Sequence, residues 1–336
     1  MNPKKIVAVT TDCDLHVDVV LKKIQESGGS VFRVNLNEFP QRYELSTQHS
    51  TNGWSGQIRN LTTDEFLQLE EIGAFWIRKK GDFSYNATLS KQELAFANDE
   101  MEHLLFGLFN SCDCYWMSRP SAIRSSMWKL EQLHRAMRFG FATPKTLTTS
   151  SSTAVRQFRS TCKNGIIFKT LSSASLASEL VSEEEIVAYG LKTTLITDEN
   201  DHMLDSISIA PGFFQEYIPK SIELRVTVVG QTVYAAEIHS QSDPRTSTDY
   251  RDFSAEIKYD VAILPDKIER LCIEFVRSYG LEYGALDLIV TPAGEYVFLE
   301  NNPVGQFYFV EQLVPALTIS DAMASLLIQE AHKQSQ

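Results

Sequence analysis

Between Ala285 and Asn302, two apolar runs flank Thr291-Pro292-Ala293-Gly294, a tetrad with type I turn chemistry. This hairpin constrains the fold more than any other segment. If Thr291 opposes Gly294, Asp287 lies opposite Phe298 and Ala285 opposite Glu300. Cross-strand partners share a face, as do residues two apart on one strand. Asp287, Glu300 and Asn302 are therefore expected on one surface, with Phe298 as an apolar wall beside them. Leu286, Leu288 and Val290 face the other layer, with Val297 and Leu299 on their side. Strands this apolar read as core strands covered on both faces, so an acidic cluster among them needs a cation or another partner. Two carboxylates and an amide oxygen are hard ligands, suited to Mg2+ completed by water and phosphate oxygens. The competing reading is a solvated hairpin whose exposed face is acidic.

The rest of the chain supplies layers to cover such a sheet. Ile6 to Thr10 is a β-branched run, Val17 to Glu26 has helical spacing, and Ser30 to Asn35 reads as a second strand. Strand, helix, strand opens a parallel α/β unit. A hairpin near 52–60, a strand from Ala74 to Ile77 and a helix from Glu93 to Asn110 follow. This first unit closes near Ser118-Arg119-Pro120. One helix is expected over 121–141, a strand over Ile166 to Thr170, then a Ser/Ala loop, Ser172-Ser173-Ala174-Ser175. Short strands alternate with polar turns over 182–215. Gly230-Gln231 connects two β-rich runs as a II′ turn, with glycine first. Helices are expected from Pro265 to Tyr279 and from Ile319 to His332. The expected class is α/β with α+β subdomains, divided as 1–118, 119–213 and 214–336.

Charge and cysteine usage exclude some functions. With 43 acidic and 31 basic residues, the formal net charge is −12, which argues against a nucleic-acid surface. Five scattered cysteines do not form a disulfide framework, and Cys112-Asp113-Cys114 has no second ligand pair to complete a metal site. No apolar run approaches the roughly twenty residues of a membrane span. A protein that remains in the reducing cytoplasm, without membrane partners, is the expectation.

Other chemistry-bearing residues occur in a definite order. Lys129 lies on a helix, and Lys169 ends a buried strand beside the serine loop, where a phosphate contact competes with an ordinary snorkelling lysine. Gln215-Glu216-Tyr217-Ile218 links two subdomains and can present backbone groups to an adenine edge. Glu223 and Arg225 share one strand face. Asp287, Glu300 and Asn302 come last.

This order, with Gly284-Ala285-Leu286-Asp287-Leu288 and Phe298-Leu299-Glu300-Asn301-Asn302-Pro303, resembles the ATP-grasp superfamily over the whole chain. The resemblance implies an ATP-grasp fold preceded by an N-terminal pre-ATP-grasp α/β domain, and ATP and Mg2+ as cofactors. It implies that Lys129 and Lys169 hold the ATP phosphates, Gln215, Glu216, Tyr217 and Ile218 form the adenine hinge, and Glu223 binds the ribose. Arg225 would be catalytic, steadying an acyl phosphate or oxyanion, and Asp287, Glu300 and Asn302 would ligate the metal. The loop after Lys169 departs from the superfamily pattern, having serines where relatives carry glycines.

Within the superfamily the chain is similar to graspetide (microviridin-type) ligases. The shared segments are Gly28-Gly29-Ser30-Val31-Phe32-Arg33-Val34-Asn35, Phe39-Pro40, Phe75-Trp76-Ile77-Arg78-Lys79-Lys80 and Arg119-Pro120. Ala122-Ile123-Arg124, Lys129-Leu130, Glu237-Ile238-His239-Ser240-Gln241 and Asp249-Tyr250-Arg251 also match. The similarity implies cross-linking of Asp or Glu side chains of a ribosomal precursor peptide to Ser, Thr or Lys. It further implies a leader segment docked apart from the chemistry and a homodimeric enzyme, with Arg251, His239 and Arg78 as substrate-docking groups. Two alternatives stand beside it: an ATP-grasp ligase adding an amino acid to a protein tail or small peptide, and a non-catalytic nucleotide- or peptide-binding module.

Overall fold

The computed structural model describes residues 4–51, 53–172, 175–176, 189–190, 193–252 and 254–334, with backbone alone at 175, 176, 189 and 190. The chain opens with β1 (Lys5–Thr10), α1 (Leu15–Glu26) and β2 (Val31–Asn35). Asp14 starts α1 by accepting from His16 N at 3.2 Å, satisfying one of the orphan donors of a helix start. A small antiparallel sheet of β3 (Tyr43–Ser50), β4 (Gly53–Asn60) and β5 (Phe66–Gln68) precedes β6 (Ile72–Ile77), α2 (Lys91–Ser111) and β7 (Tyr115–Trp116). Ser90 and Glu93 close a capping box on α2.

The first main sheet runs β2-β1-β6-β7, all parallel. Its central strands are buried on both faces, as a parallel sheet requires. Val7 and Val9 face a core with Leu105 and Phe109 of α2, whereas Ile6 and Ala8 face α1 and residues from the far end of the chain.

The helix expected over 121–141 is two: α3 (Pro120–Ser125) and α4 (Lys129–Phe139). Ser126 ends α3, its hydroxyl donating to Ile123 O, and Trp128 is extended, so the axis restarts at Lys129. Gly140 ends α4 at φ 96°, a left-handed cap that a side chain rarely adopts.

The central layer holds β8 (Thr146–Thr149), α5 (Ser152–Thr161), β9 (Ile166–Lys169), β10 (Ser175–Leu176), β11 (Tyr189–Gly190), β12 (Thr194–Leu195) and β13 (Gly212–Glu216). The antiparallel order β12-β9-β13-β8 places Lys169 and Gln215 on neighbouring strands. Where the sequence suggested strands and turns up to 215, a 3-10 helix occupies Asp201–Ser208, burying Leu204 and Ile207 against Val155 and Phe214. Ser173 and Ala174 of the serine loop lie outside the described residues, as does most of 177–192.

The last layer comprises β14 (Ile222–Val229), β15 (Thr232–Ile238), β16 (Tyr259–Val261), α6 (Asp266–Arg277), β17 (Tyr283–Val290), β18 (Tyr296–Asn302), α7 (Tyr308–Leu313) and α8 (Ile319–Lys333). Its sheet order is β16-β15-β14-β17-β18, entirely antiparallel. Gly230 opens the β14–β15 turn at φ 60° while Gln231 keeps a negative φ, the combination of a II′ turn. Cys272, Phe275 and Val276 of α6 cover one face of this sheet. Helix α8 packs on α1 and β6, so the chain's end completes the core of its beginning. Among the described residues no helix is long and apolar enough to cross a membrane.

Candidate active site

The β17–β18 hairpin departs from its expected register in two places. The type I turn is present, with Gly294 N donating to Thr291 O at 2.8 Å, but Gly294 at φ 80° is an added left-handed residue and Thr291 faces Glu295. A bulge at Leu299 supplies the second shift: Leu288 pairs with Phe298, yet Asp287 pairs with Glu300 and Ala285 with Asn302. Asp287 thus opposes Glu300 rather than Phe298, and Ala285 opposes Asn302 rather than Glu300. Two one-residue shifts restore parity, so the three oxygen-bearing side chains still share a face. Phe298 lies between the shifts and changes sides. It is fully buried against Phe141 and Phe275, on the side of Leu286 and Leu288. Val297, expected with those leucines, instead pairs with Ile289 on the opposite side, and Leu299 and Ile289 line a cleft.

Facing this hairpin, β14 aligns Glu223 and Arg225 on one side, with Arg225 paired to Asp287. Arg225 Nη1 donates to Asp287 Oδ1 at 2.8 Å and Nη2 to Gln306 O at 3.0 Å. Gly305 makes room for it, since a Cβ there would lie 2.8 Å from Nη2. Burial opposes the Arg225 charge, but Asp287 overcomes it and holds the guanidinium protonated. Burial and then the neighbouring Glu300 raise the Asp287 carboxyl above its usual range, against the pull of Arg225. Burial acts the same way on Glu300, but Lys129 and Lys169 outweigh it and keep that carboxyl low.

Lys129 is the first residue of α4. Its Nζ lies 3.3 Å from Glu300 Oε2 and donates to Thr170 O at 2.8 Å. A cation at a helix N-terminus opposes the helix dipole, so an anion bound there gains from both. Lys169, at the end of β9, is pulled below the ordinary lysine range by burial, with Lys129 acting in the same direction. Glu223 is buried, raised by desolvation, and accepts from Lys220 Nζ at 2.8 Å. Gln215 donates to Thr146 Oγ1, fixing the end of β13 where the linker begins.

Two clefts meet at the acidic pair. The first is lined by Lys129, Lys169, Gln215 to Ile218 and Glu223. The second is lined by Arg78, Lys79, Arg225, Asn302 and Gln306. Asp287, Glu300, Tyr250 and Arg251 belong to both. Arg78 donates to Val304 O, tying the first domain to the last, and among the described residues neither Arg78 nor Arg225 has a partner for its buried Nε. Arg251 chelates Asp249, whose other bond, from Thr193 N at 3.0 Å, bridges to the central layer. His239 is not brought in. It sits off both clefts, paired with Asp260 at 2.9 Å near the sheet edge.

Sequence reasoning missed Lys220 and Gln306. Lys220 lies in a linker where no periodicity assigns a face, and Gln306 contributes only its backbone carbonyl.

Residues 5–124 match the family described as MvdD pre-ATP grasp domain. A RiPP-associated ATP-grasp ligase from Chryseobacterium gregarium, solved with ADP and a leader and core peptide, is 30% identical, with 97% of each chain covered and a TM-score of 0.88. The chain belongs to the RiPP-associated ATP-grasp ligases. This ligase is also similar to macrocyclase MdnC from Microcystis aeruginosa MRC, solved with precursor peptide MdnA, at 28% identity and a TM-score of 0.84, covering 97% of this chain and 99% of that one. The ATP-grasp ligase PsnB, solved with a phosphomimetic variant of a minimal precursor, Mg and ADP, shares the fold at 20% identity and a TM-score of 0.76, over 98% of this chain and all of the other. No curated protein matches the ligase in sequence. Its ATP-grasp fold, its pre-ATP-grasp domain and its standing as an ATP-dependent ligase follow from this membership.

The donor set of the ligase suits a hard divalent cation. Asp287 and Glu300 are opposed across the hairpin, side chains 18% and 32% exposed, and Arg225 and Lys129 each engage one of their oxygens. A carboxylate has about four lone-pair sites, so one such contact leaves each able to ligate. Asn302 supplies a neutral oxygen on the same face, and its Oδ1 now accepts from Val304 N at 3.1 Å.

Proposed function

We propose that this ligase activates Asp and Glu side-chain carboxylates of a ribosomal precursor peptide with ATP and joins them to Ser, Thr or Lys side chains as ester or amide cross-links. The observation that carries this reading is the acidic pair at the junction of two clefts, one suited to nucleotide and the other bringing Arg78, Lys79, Arg225 and Arg251 together, alongside Asp252 and Glu256. The nucleotide would lie with its adenine on Gln215 to Ile218, its ribose at Glu223 and its phosphates on Lys129 and Lys169. Mg2+ held by Asp287, Glu300 and Asn302 would neutralise phosphate charge.

The peptide carboxylate enters from the second cleft, where Arg225, Arg251 and Arg78 attract it in an otherwise acidic protein. Its oxygen forms a bond to the γ-phosphorus as the bond to ADP breaks, giving an acyl phosphate. Arg225, held charged by Asp287, stabilises the developing negative charge. The acceptor hydroxyl or amine then attacks the acyl carbon, releases its proton, and phosphate departs with the cleaved oxygen. Each cross-link therefore removes one water from the peptide and converts one ATP to ADP and phosphate.

A leader segment bound elsewhere on the ligase would keep the core peptide at high effective concentration, allowing the core itself to bind weakly. The ligase would act in this way as a homodimer in the cytoplasm. The test is mass spectrometry of a leader-bearing peptide rich in Thr, Ser, Asp and Glu, incubated with ligase, ATP and Mg2+. Loss of one water per cross-link, absent with Glu300→Gln, is expected. A mass gain upon adding a free amino acid would replace this reading with that of a tail-adding ligase, and full turnover by Glu300→Gln would refute the metal assignment.

A further inference from the structure

Among the described residues strand β18 is the outer strand of its sheet, and its outer side is met only locally, as at Phe298, whose N donates to Ala142 O at 2.9 Å. At Asn301, between Glu300 and Asn302, that side is closed by one side chain. Gln132 Oε1 accepts from Asn301 N at 2.8 Å, and Gln132 Nε2 donates to Asn301 O at 2.8 Å. The second Nε2 hydrogen goes to Ser126 O at 2.5 Å, in the break between α3 and α4. Only one orientation of the amide satisfies a strand N–H and a strand C=O together, so this contact fixes both position and direction. Gln132 is 3% exposed, in a place where an apolar side chain of equal length would fill the same volume.

What the amide joins bears on the site. Gln132 lies three residues after Lys129, on the same face of α4. Lys129 reaches Glu300 and Thr170 O, so its aim depends on how α4 is set along β18. Trp128, at the start of α4, contributes no side-chain cap, so the helix start is fastened to the preceding loop by the Gln132–Ser126 bond together with the Arg124 guanidinium 4.6 Å from the Trp128 ring.

We infer that Gln132 is a positioning residue: its amide locks α4 to β18 and so holds the Lys129 ammonium and the Glu300 and Asn302 oxygens in one register toward nucleotide and metal. This rests on the nucleotide reading of the first cleft. Gln132 touches no reactant. Its loss acts through backbone groups of Asn301 that are left buried and unpaired, which shifts the ligands on either side.

The experiment is calorimetric titration of ADP into ligase at a series of Mg2+ concentrations, comparing wild type, Gln132→Met, Gln132→Glu and Lys129→Ala, each with its melting temperature. Gln132→Met should weaken Mg2+-dependent ADP binding roughly 10- to 100-fold, the range for partners that orient metal ligands, and raise the Mg2+ needed for half-saturation. Gln132→Glu keeps the acceptor for Asn301 N but loses both donors, and should fall between. A purely structural role would lower the melting temperature and the number of competent sites while leaving Kd and the Mg2+ dependence unchanged in the folded fraction. That result, with Lys129→Ala weakened, overturns the inference alone. If Lys129→Ala also binds normally, the nucleotide reading of the cleft falls with it.

Discussion

The Arg225–Asp287 pair offers a quantitative test of how the site is held. Both side chains are largely out of water, 7% and 18% exposed, and they meet at 2.8 Å. Arg225→Met keeps the length of the side chain but leaves Asp287 without its cation, in a position where burial and Glu300 already raise its carboxyl. Removing one member of a buried ion pair costs about 3–5 kcal/mol, because the other charge is stranded. Asp287 retains some solvent contact and can take up a proton, so the lower end, about 3 kcal/mol, applies. With an unfolding entropy of about 2.1 cal/mol/K per residue, a 336-residue chain loses roughly 1.4 °C per kcal/mol, so this corresponds to a fall of roughly 4 °C in the melting temperature. Asp287→Leu should cost a comparable amount by stranding Arg225. The double variant Arg225→Met/Asp287→Leu should recover much of the loss, since apolar replacement of a buried pair is often close to neutral. Differential scanning fluorimetry on all four proteins, without nucleotide, measures the coupling. Single variants each within about 1 kcal/mol of wild type and strictly additive would describe an exposed pair, and would refute the argument that Asp287 holds Arg225 charged in place.

The nucleotide lysines make a second case. Lys169→Ala removes a half-buried ammonium whose charge is disfavoured by desolvation, and should sharply reduce ADP affinity by fluorescence titration while leaving the melting temperature near wild type; unchanged affinity would remove Lys169 from the phosphate site. His16 makes a third. Burial, with Arg78 beside it, lowers its pKa from the ordinary 6.5 to about 4, its Nδ1 accepts from Tyr308 N at 3.3 Å, and Asp14, Lys79 and Arg225 also face it. Because the folded state disfavours the protonated form, His16 contributes its full stability above about pH 6.5 and loses it as pH falls toward 4. His16→Asn, which retains an acceptor, should flatten the melting-temperature profile across that window, and a profile as steep as wild type would show that His16 is not the titrating group.

Much of the site was legible because strand alternation is a property of the local backbone. Asp287, Glu300 and Asn302 share a face whatever their neighbours do, provided register shifts come in pairs, and Glu223 and Arg225 share one because they are two apart on an unbroken strand. The parallel opening unit and the long helix of the first domain were equally local, written in β-branched runs and helical spacing. What the sequence alone could not decide were the distances and partners that depend on packing between remote segments. Phe298 belongs to the core because Phe141 and Phe275 await it there, and the bulge that turns it inward is also what sets Asp287 squarely opposite Glu300. The break between α3 and α4, which places Lys129 at a helix start, is fastened by a glutamine bonded to a strand 169 residues away. His239 shows the converse: its motif looked like part of the substrate side, but its side chain turns to Asp260 beyond both clefts, because a neighbouring edge strand, invisible to periodicity, offered it the nearer carboxylate.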